Sequence, residues 1–372
     1  MRKLLAGALA LVFLAALCGY GFWTQQRPEG HYLSDLRIEL ALNHGVPGEH
    51  GNLLGVEPLL YPGDYQNLQR LHRKLAAYLE QARAQGLINP RTVVVLPEHI
   101  GTWLWARGEK NELYQVTQSR EALQWLELSN PLRYGLAMLG ADGDDWRADA
   151  HLRMKAEQMA ADYQQLFGGL AKEFGVTLVA GSIVLPAPYV KQGVLHAGSG
   201  PLFNSSMVFA GDGSLLSEPQ HQQFPDSEMR RYVHNGRKHP LQVVQTPAGR
   251  LGVLIGSDSW YPENHRQLAQ QAVQLVANPA FLSGKSSWEA PWRGNRHQHA
   301  AAGLPLKRGE VSEQTAWQRL TEAAGASVSS MSVFMRGQFW EQGSDGQGFA
   351  HQAGELLVGT PSPGARLLNL WL

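Results

Sequence analysis

The chain has 372 residues, 44% of them hydrophobic, which is enough to build the core of one large domain or two smaller ones. Lys plus Arg equal Asp plus Glu, 32 each, and this balance excludes the basic excess expected of a general nucleic-acid binder. The single cysteine, Cys18, lies in the N-terminal apolar segment, so a disulfide framework and a cysteine-based metal site are excluded as well.

The N-terminus has the pattern of a membrane-targeting segment. Arg2 and Lys3 precede an uncharged run from Leu4 to Trp23, which has roughly the 20 residues needed to cross the hydrocarbon core of a bilayer. The positive charges predict that this end stays cytoplasmic and that the remainder is translocated. We therefore expect residues 1–24 to be a signal anchor that crosses the membrane through residues 4–23 and holds the domain on the extracytoplasmic (periplasmic) side.

Cleavage of the same segment is the alternative. Small residues between Ala15 and Cys18 offer a cleavage site, although they fit the A-x-A pattern of signal peptides poorly. A cleaved segment predicts a secreted or periplasmic protein without an anchor.

The rest of the chain alternates predicted strands and helices. After a short polar linker, residues 25–30, we expect one domain over residues 30–372. Apolar spacing predicts the helices, and short β-branched runs predict the strands. In chain order they are a helix over 64–85 with Asp64 as N-cap, a strand over 92–96, a helix over 151–174, strands over 176–180, 207–210 and 251–255, a helix over 265–274, and strands over 275–277 and 327–335. This alternation predicts an α/β layered fold with both faces of the sheet covered.

Five segments stand in an order that is specific in combination. They are Val94-Val95-Leu96-Pro97-Glu98, then Leu178-Val179-Ala180-Gly181-Ser182, then Asn204-Ser205-Ser206 with residues 208–213, then residues 252–258 running into Tyr261-Pro262-Glu263, and finally Ala277-Asn278-Pro279-Ala280. Over roughly residues 35–370 the chain resembles the nitrilase (carbon–nitrogen hydrolase) superfamily. The resemblance implies a four-layer αββα sandwich, a homodimer, and chemistry by a glutamate, a lysine and a cysteine whose thiolate attacks an amide or nitrile carbon.

The three catalytic positions carry over unequally. Glu98 matches the general base at the end of a buried strand. The lysine position aligns with His221, for which an exposed loop histidine is an equally good interpretation; Arg230, Arg231, Arg237 and Lys238 are other sources of charge nearby. The nucleophile position holds Gly256, which has no side chain to form a covalent intermediate. The neighbouring Ser257 is the candidate substitute, but a shift of one residue in an extended segment turns a side chain to the opposite face.

The resemblance also predicts what surrounds the site. Trp103, Asp258 and Trp260 fall where the family has its pocket wall and rim, although ordinary packing explains the two tryptophans equally well. Residues 111–150 are predicted to form a helical insertion over the pocket, with 142–145 as a solvated turn because an EF-hand's spacing is missing.

We expect no cofactor and no metal. No phosphate-binding loop or dinucleotide fingerprint occurs in a strand–helix context. His297 and His299 are two residues apart, but no third ligand is signalled.

Three hypotheses for function follow. The first is a domain that binds a small amide- or nitrile-type ligand without the usual cysteine chemistry. The second is an active hydrolase of non-peptide carbon–nitrogen bonds that uses Glu98 with water, or Ser257. The third is a structural or partner-binding pseudoenzyme.

Overall fold

A computed structural model describes residues 2–284, 286–294, 306–324 and 327–372. Two six-stranded sheets form its centre. Sheet A has the order β1 (Ile38–His44), β20 (Ala365–Trp371), β2 (Asn52–Glu57), β4 (Thr92–Val95), β5 (Thr177–Val179), β10 (Val208–Phe209). Sheet B has the order β12 (Val243–Thr246), β13 (Gly249–Val253), β14 (Leu275–Ala280), β15 (Ser329–Phe334), β18 (Phe349–Gln352), β19 (Glu355–Val358).

Smaller sheets lie around these two. One has the order β11 (Gln220–His221), β9 (Leu202–Ser206), β6 (Ile183–Pro186), and another has the order β17 (Gln342–Ser344), β16 (Arg336–Phe339), β3 (Leu59–Leu60). A two-stranded sheet pairs β7 (Tyr189–Lys191) with β8 (Val194–His196). The first of these sheets borders the site described below.

The two large sheets pack face to face through apolar side chains. Val93 and Val95 of β4 share one buried cluster with Val253 of β13 and with Met331 and Val333 of β15. The predicted β-branched run at 92–96 is thus a strand whose residues are all buried, as expected for a parallel strand that is covered on both faces.

Helices cover the outer face of each sheet. The helices are α1 (Arg2–Gln25), α2 (Leu68–Ala84), α3 (Asn111–Gln115), α4 (Ser119–Ser129), α5 (Pro131–Met138), α6 (Trp146–Tyr163), α7 (Gly169–Phe174), α8 (Pro262–Gln270) and α9 (Glu313–Leu320). Helices α2, α6 and α7 pack on sheet A, whereas α8 places Leu268 against sheet B. The layers are helix, sheet, sheet, helix, so the predicted αββα sandwich is confirmed.

Three helix starts differ from the prediction: α8 begins at Pro262, three residues before the predicted start, and side-chain interactions explain the other two. Asp64 does not cap α2, because its buried carboxylate binds Lys74 at 2.9 Å, and Asn67 caps the helix by accepting from the Gln69 backbone. Helix α6 begins five residues before the predicted position, because Asp145 accepts from the Ala148 backbone at 3.1 Å and acts as its N-cap.

Helix α1 is long and apolar enough to cross a membrane, by length and composition, as a membrane anchor or a signal helix would. The end of α1 and the residues after it contact the domain: Lys110 donates to the Trp23 carbonyl at 2.6 Å, and Arg27, two residues beyond α1, forms an ion pair with Glu109 at 2.8 Å. The segment predicted as a polar linker therefore attaches α1 to the domain. His297 and His299 lie outside the described residues.

Candidate active site

The ends of strands from both large sheets meet at one buried position. Glu98 follows β4 of sheet A, and Gly256 follows β13 of sheet B. Asn204 lies in β9, and the adjacent Gln222 follows β11; the Gln222 backbone donates to the Asn204 carbonyl at 2.8 Å. The fold thus brings together four residues that are far apart in the sequence.

Side-chain hydrogen bonds join three of these residues into one cluster. Glu98 Oε1 accepts from Asn204 Nδ2 at 2.9 Å and from Gln222 Nε2 at 3.2 Å. Asn204 Nδ2 also reaches Gln222 Oε1 at 3.0 Å, and Gln222 Nε2 reaches the Ile255 carbonyl at 3.2 Å. All three side chains are buried. The cluster contains a carboxyl group and two neutral amides.

Gly256 faces this cluster directly. Its φ is +55°, in the left-handed region that favours glycine, and it begins the 3-10 helix Gly256–Trp260. A β-carbon built on Gly256 would lie 2.7 Å from Glu98 Oε2 and 3.0 Å from Gln222 Nε2. Any side chain at position 256 would therefore point at Glu98, where a nucleophile and its base would meet.

The surroundings of Glu98 raise the pKa of its carboxyl group. Burial, followed by the negative charges of Asp226 and Asp258, raises the pKa of Glu98 well above its ordinary value, and the hydrogen bond from Asn204 opposes this only in part. His99 Nε2 lies 3.8 Å from Glu98 Oε1. Burial lowers the pKa of His99 to about 4, so this ring is neutral near pH 7 and supplies no positive charge.

Asp258 holds the backbone beside the site rather than facing it. Its buried carboxylate accepts from the backbone N–H groups of Gln223 at 2.8 Å and Phe224 at 2.7 Å. Burial raises the pKa of Asp258 to about 7. Both oxygens are used in fixing the segment that carries Gln222, so the residue predicted to bind ligand has a positioning role in the structure.

Ser257 is turned away from Glu98. Its hydroxyl donates to the Phe224 carbonyl at 3.0 Å, and this contact lies in the same loop that Asp258 holds. The next serine along, Ser259, hydrogen-bonds the Gly256 carbonyl at 3.0 Å and Asn278 Oδ1 at 3.1 Å. The serines after Gly256 thus stabilise the turn.

His221 lies on the opposite side of its strand from Gln222. Its Nδ1 is 2.8 Å from Ser205 Oγ, and its ring stacks on Phe203 at 4.4 Å and meets His239 edge-on at 4.7 Å. Side chains alternate between faces along an extended chain. Of the two neighbours, the structure therefore brings Gln222 to Glu98, and not His221.

The two predicted aromatic residues lie in packed clusters. Trp103 is half-buried and stacks on Phe339 with ring centroids 4.3 Å apart. Trp260 is buried against Trp292 and Trp317, with centroids 5.8 and 4.8 Å away. Both fit the packing interpretation of the sequence.

Three amide side chains of the site were not singled out from the sequence. Asn204 and Gln222 bind Glu98 as described, and Asn278 donates to the Leu254 carbonyl at 2.6 Å and to the Gly256 carbonyl at 3.0 Å. Within the described ranges, no group of three or more His, Cys, Asp or Glu side chains is placed to hold a metal ion. The local chemistry is hydrogen bonding by neutral groups around a buried carboxyl.

The chain is similar in sequence to known amidases. N-carbamoylputrescine amidase from Solanum lycopersicum is 25% identical over 142 residues, which cover 36% of this chain and 43% of the relative. Omega-amidase NIT2 from Danio rerio is 26% identical over 174 residues, covering 44% and 58%. The chain thus spans about half the length of the curated relatives it matches.

The fold is shared with solved structures. A carbon–nitrogen hydrolase from Helicobacter pylori G27 superposes with a TM-score of 0.54 at 17% identity, covering 86% of this chain and 88% of that one. A mutant of the Nesterenkonia AN1 amidase from the nitrilase superfamily gives 0.50 at 16% identity, covering 88% and 93%. A family model for carbon–nitrogen hydrolases matches residues 61–303. The chain belongs to the carbon–nitrogen hydrolase family.

Proposed function

We propose that this chain binds a small amide-type ligand at the Glu98 site and does not hydrolyse it by cysteine chemistry. The observation that carries the proposal is the placement of Gly256, whose missing side chain would point at Glu98 Oε2 from 2.7 Å. We assign Gly256 to the nucleophile position of the family. Cys18, the only thiol in the sequence, lies in α1 and not at this site.

The charges expected of an active site are replaced by neutral groups. We assign the lysine position to Gln222 instead of His221, because the Gln222 amide is the group that reaches Glu98. A neutral amide stabilises the developing negative charge of a tetrahedral intermediate less than an ammonium group does. A raised pKa of Glu98 reduces the fraction of ionised carboxylate that can act as a general base. The two changes, at Gly256 and Gln222, and the raised pKa of Glu98 all oppose hydrolysis.

The same groups are suited to hold an amide. A protonated carboxyl and the primary amide of Gln222 both donate and accept hydrogen bonds. Asn204 Oδ1 is buried and lacks a hydrogen-bond partner among the described residues. Because an unsatisfied buried acceptor is costly, an N–H group of a ligand would stabilise the site by donating to it.

Ser257 supports the alternative of an active hydrolase less well. Its hydroxyl is bound to the Phe224 carbonyl at 3.0 Å, and a serine nucleophile needs a base within hydrogen-bond reach. We therefore place amide binding before hydrolysis.

The proposed location of the protein depends on the apolar helix α1. We propose that α1 remains uncleaved as a membrane anchor and that the domain lies on the extracytoplasmic side. The basic start at Arg2 and Lys3 supports this orientation. The contacts of Arg27 with Glu109 and of Lys110 with Trp23 lie after the candidate cleavage site at residues 15–18, so they attach the end of the helix to the domain whether or not the segment is cleaved.

The binding proposal is tested by thermal unfolding of the detergent-solubilised full chain with acetamide or N-carbamoylputrescine as probe. A ligand that binds only the native state raises the unfolding midpoint, and we expect a rise of about 2 °C or more at saturation. Gln222→Met should abolish the rise, and the matched exposed variant Gln245→Met should keep it. No rise with either probe, or an equal rise in Gln222→Met, would contradict the proposal.

A further inference from the structure

Helix α5 has an apolar face without cover. Leu132, Leu136 and Leu139 are 82%, 70% and 85% exposed, and α5 buries none of its residues. Positions separated by four and by three residues lie on one side of a helix. Leu128, at the end of α4, is 52% exposed and precedes them. Isolated exposed leucines are ordinary, but a contiguous group marks an interaction surface. We call these four leucines the α5 face.

The α5 face begins beside the last turns of α1. Tyr20 Oη of α1 donates to the Leu128 carbonyl at 2.5 Å, and the rings of Trp23 and Trp125 lie 6.3 Å apart. Tyr20 stands three residues before Trp23, which ends the apolar run. The junction of α4 and α5 is therefore level with the end of the hydrophobic segment, where tyrosine and tryptophan side chains are enriched at membrane–water interfaces.

Buried charges fix α1 in this position. Glu109 binds Arg27 at 2.8 Å and Lys155 at 2.5 Å. Arg27 Nη2 also donates to the Ser129 carbonyl at 2.9 Å, and Lys110 reaches the carbonyls of Trp23 and Gln26. These bonds join the end of α1 to the end of α4, directly before α5, so direct contacts fix how α5 is placed relative to α1.

The flank of the α5 face has the side chains of an interfacial helix. Tyr134 stacks on His151 of α6 at 5.0 Å. Trp146, at the start of α6, is 42% exposed, and the Arg147 guanidinium lies 5.2 Å from the Trp146 ring centroid. Arg133 is exposed on α5 itself. Aromatic rings and arginines beside an apolar face are typical of helices that lie in the headgroup region.

We propose that the α5 face inserts into the interfacial layer of the bilayer that α1 enters, so that the domain is held against the membrane in one orientation. This inference goes beyond amide binding and rests on the proposed anchor. A lipid surface is favoured over a protein partner because the face is continuous with α1, which itself requires an apolar medium. It makes α5 a second membrane contact in the described structure.

The test uses the full chain in phosphatidylcholine–phosphatidylglycerol liposomes and an environment-sensitive fluorophore on a single cysteine. Leu136→Cys in a Cys18→Ser background reports on the α5 face. Val358→Cys in the same background is the matched control, since Val358 is also exposed, at 42%, but lies in the edge strand of sheet B. The native Cys18 reports on α1. Lipids with a nitroxide near the headgroup quench only fluorophores in the interfacial layer or the upper acyl region.

We expect nitroxide lipids to reduce emission from position 136 and from Cys18 by about half or more, as for residues inserted into the bilayer, and to leave position 358 unchanged. If Cys18 is quenched while 136 behaves like 358, the α5 inference is overturned and the anchor stands. If the label on Cys18 is not quenched, both the α5 inference and the proposed membrane anchor are contradicted. If the label at 136 is unquenched by lipid but shielded from water as protein density rises, a second copy covers the face and the inference is also overturned.

Discussion

Gly256 and Glu98 face each other so closely that a β-carbon at position 256 would lie 2.7 Å from Glu98 Oε2. The carboxyl thus lies where a side chain at 256 would need space. Gln222 closes the other side, 3.0 Å from the same point. The arrangement of the site depends on the absence of a side chain at residue 256, and its consequences are measurable.

The first prediction concerns the stability cost of a side chain there. Gly256→Ala should lower the free energy of unfolding by about 1–3 kcal/mol, because alanine is strained at positive φ and its methyl group displaces Glu98. Gly86→Ala is the matched control: its φ is +73° and nothing lies within 4 Å of an added β-carbon. Thermal unfolding should show the larger loss at position 256. An equal loss in both variants would mean that contact with Glu98 has no energetic consequence.

The second prediction concerns a restored thiol. In a Cys18→Ser background, Gly256→Cys should react slowly with iodoacetamide at neutral pH, because burial beside a neutral amide and a protonated carboxyl raises the pKa of a thiol. Adding Gln222→Lys places an ammonium group next to it and should increase the rate about tenfold or more by lowering the pKa of the thiol.

His221→Lys is the control for this thiol series, since the His221 ring faces Ser205 and His239. It should leave the rate of the Gly256→Cys variant unchanged. Acceleration by the lysine at 221 but not at 222 would restore the alignment expected from the sequence and contradict our assignment of Gln222.

The third prediction is a pH dependence of stability. Burial raises the pKa of Glu98 well above its ordinary value and the pKa of Asp258 to about 7. The folded chain therefore holds protons that the unfolded chain releases, so this stabilisation is full below the unfolded pKa values and is lost as pH rises through the folded ones. The stabilisation contributed by these two carboxyl groups should decrease between about pH 5 and about pH 8, whereas buried His99, whose pKa is lowered to about 4, contributes with the opposite sign.

Glu98→Gln removes one of the two carboxyl groups whose protonation makes stability depend on pH. The unfolding midpoint of this variant, measured relative to that of the wild type at the same pH, should rise steadily as pH rises. Glu49→Gln, a change at an exposed residue, should follow the wild-type profile. Parallel profiles for Glu98→Gln and the wild type would indicate that Glu98 is ionised in the folded chain.

The fourth prediction concerns the attachment of α1. Glu109→Gln leaves the buried Lys155 ammonium group without its carboxylate partner. Burial already lowers the pKa of this lysine, so losing the carboxylate makes its charged form still less favourable. Removing one partner of a buried ion pair costs about 3–5 kcal/mol, so the unfolding midpoint should fall sharply. Asp35→Asn, which breaks the exposed pair with Arg37, should change it little. A small effect of Glu109→Gln would show that α1 is held by other contacts.

The fold was predictable because its central strands can be recognised in the sequence as short runs rich in β-branched and apolar residues. Runs such as 92–96 and 176–180 are buried throughout and are apolar apart from Thr92 and Thr177, since helices cover sheet A on one face and sheet B covers it on the other. Glu98 and Gly256 were identified because each follows such a strand directly. Their mutual approach, inferred from family resemblance, is present in the structure.

The position of Gln222 was not predictable to one residue. The register of β11 against β9 decides which side chain faces Glu98, and it is set by backbone pairing of Gln220 with Ser206 and of His221 with Ser205. An irregular segment lies between Gly213 and β11, so counting residues from Gly213 cannot fix this register.

The insertion at 111–150 is helical as expected, but its location was decided by long-range contacts. Its helix α4 packs beside α1 through Tyr20 and Trp23, and at its other end the Asp145 backbone donates to the Arg231 carbonyl at 2.9 Å; its placement over the pocket stays a prediction. Glu109 and Lys155, which hold this region, are far apart in the sequence, and nothing local to either residue signals their pairing. The homodimer and the extracytoplasmic orientation stay predictions.

The most direct test of the central claim is ammonia release from primary amides and nitriles by the full chain, compared with Glu98→Gln. Family chemistry requires a nucleophile at position 256 and a base at Glu98. We predict the same background release from the wild type and the variant. Release by the wild type that Glu98→Gln abolishes would contradict the claim that the site binds amides without hydrolysing them.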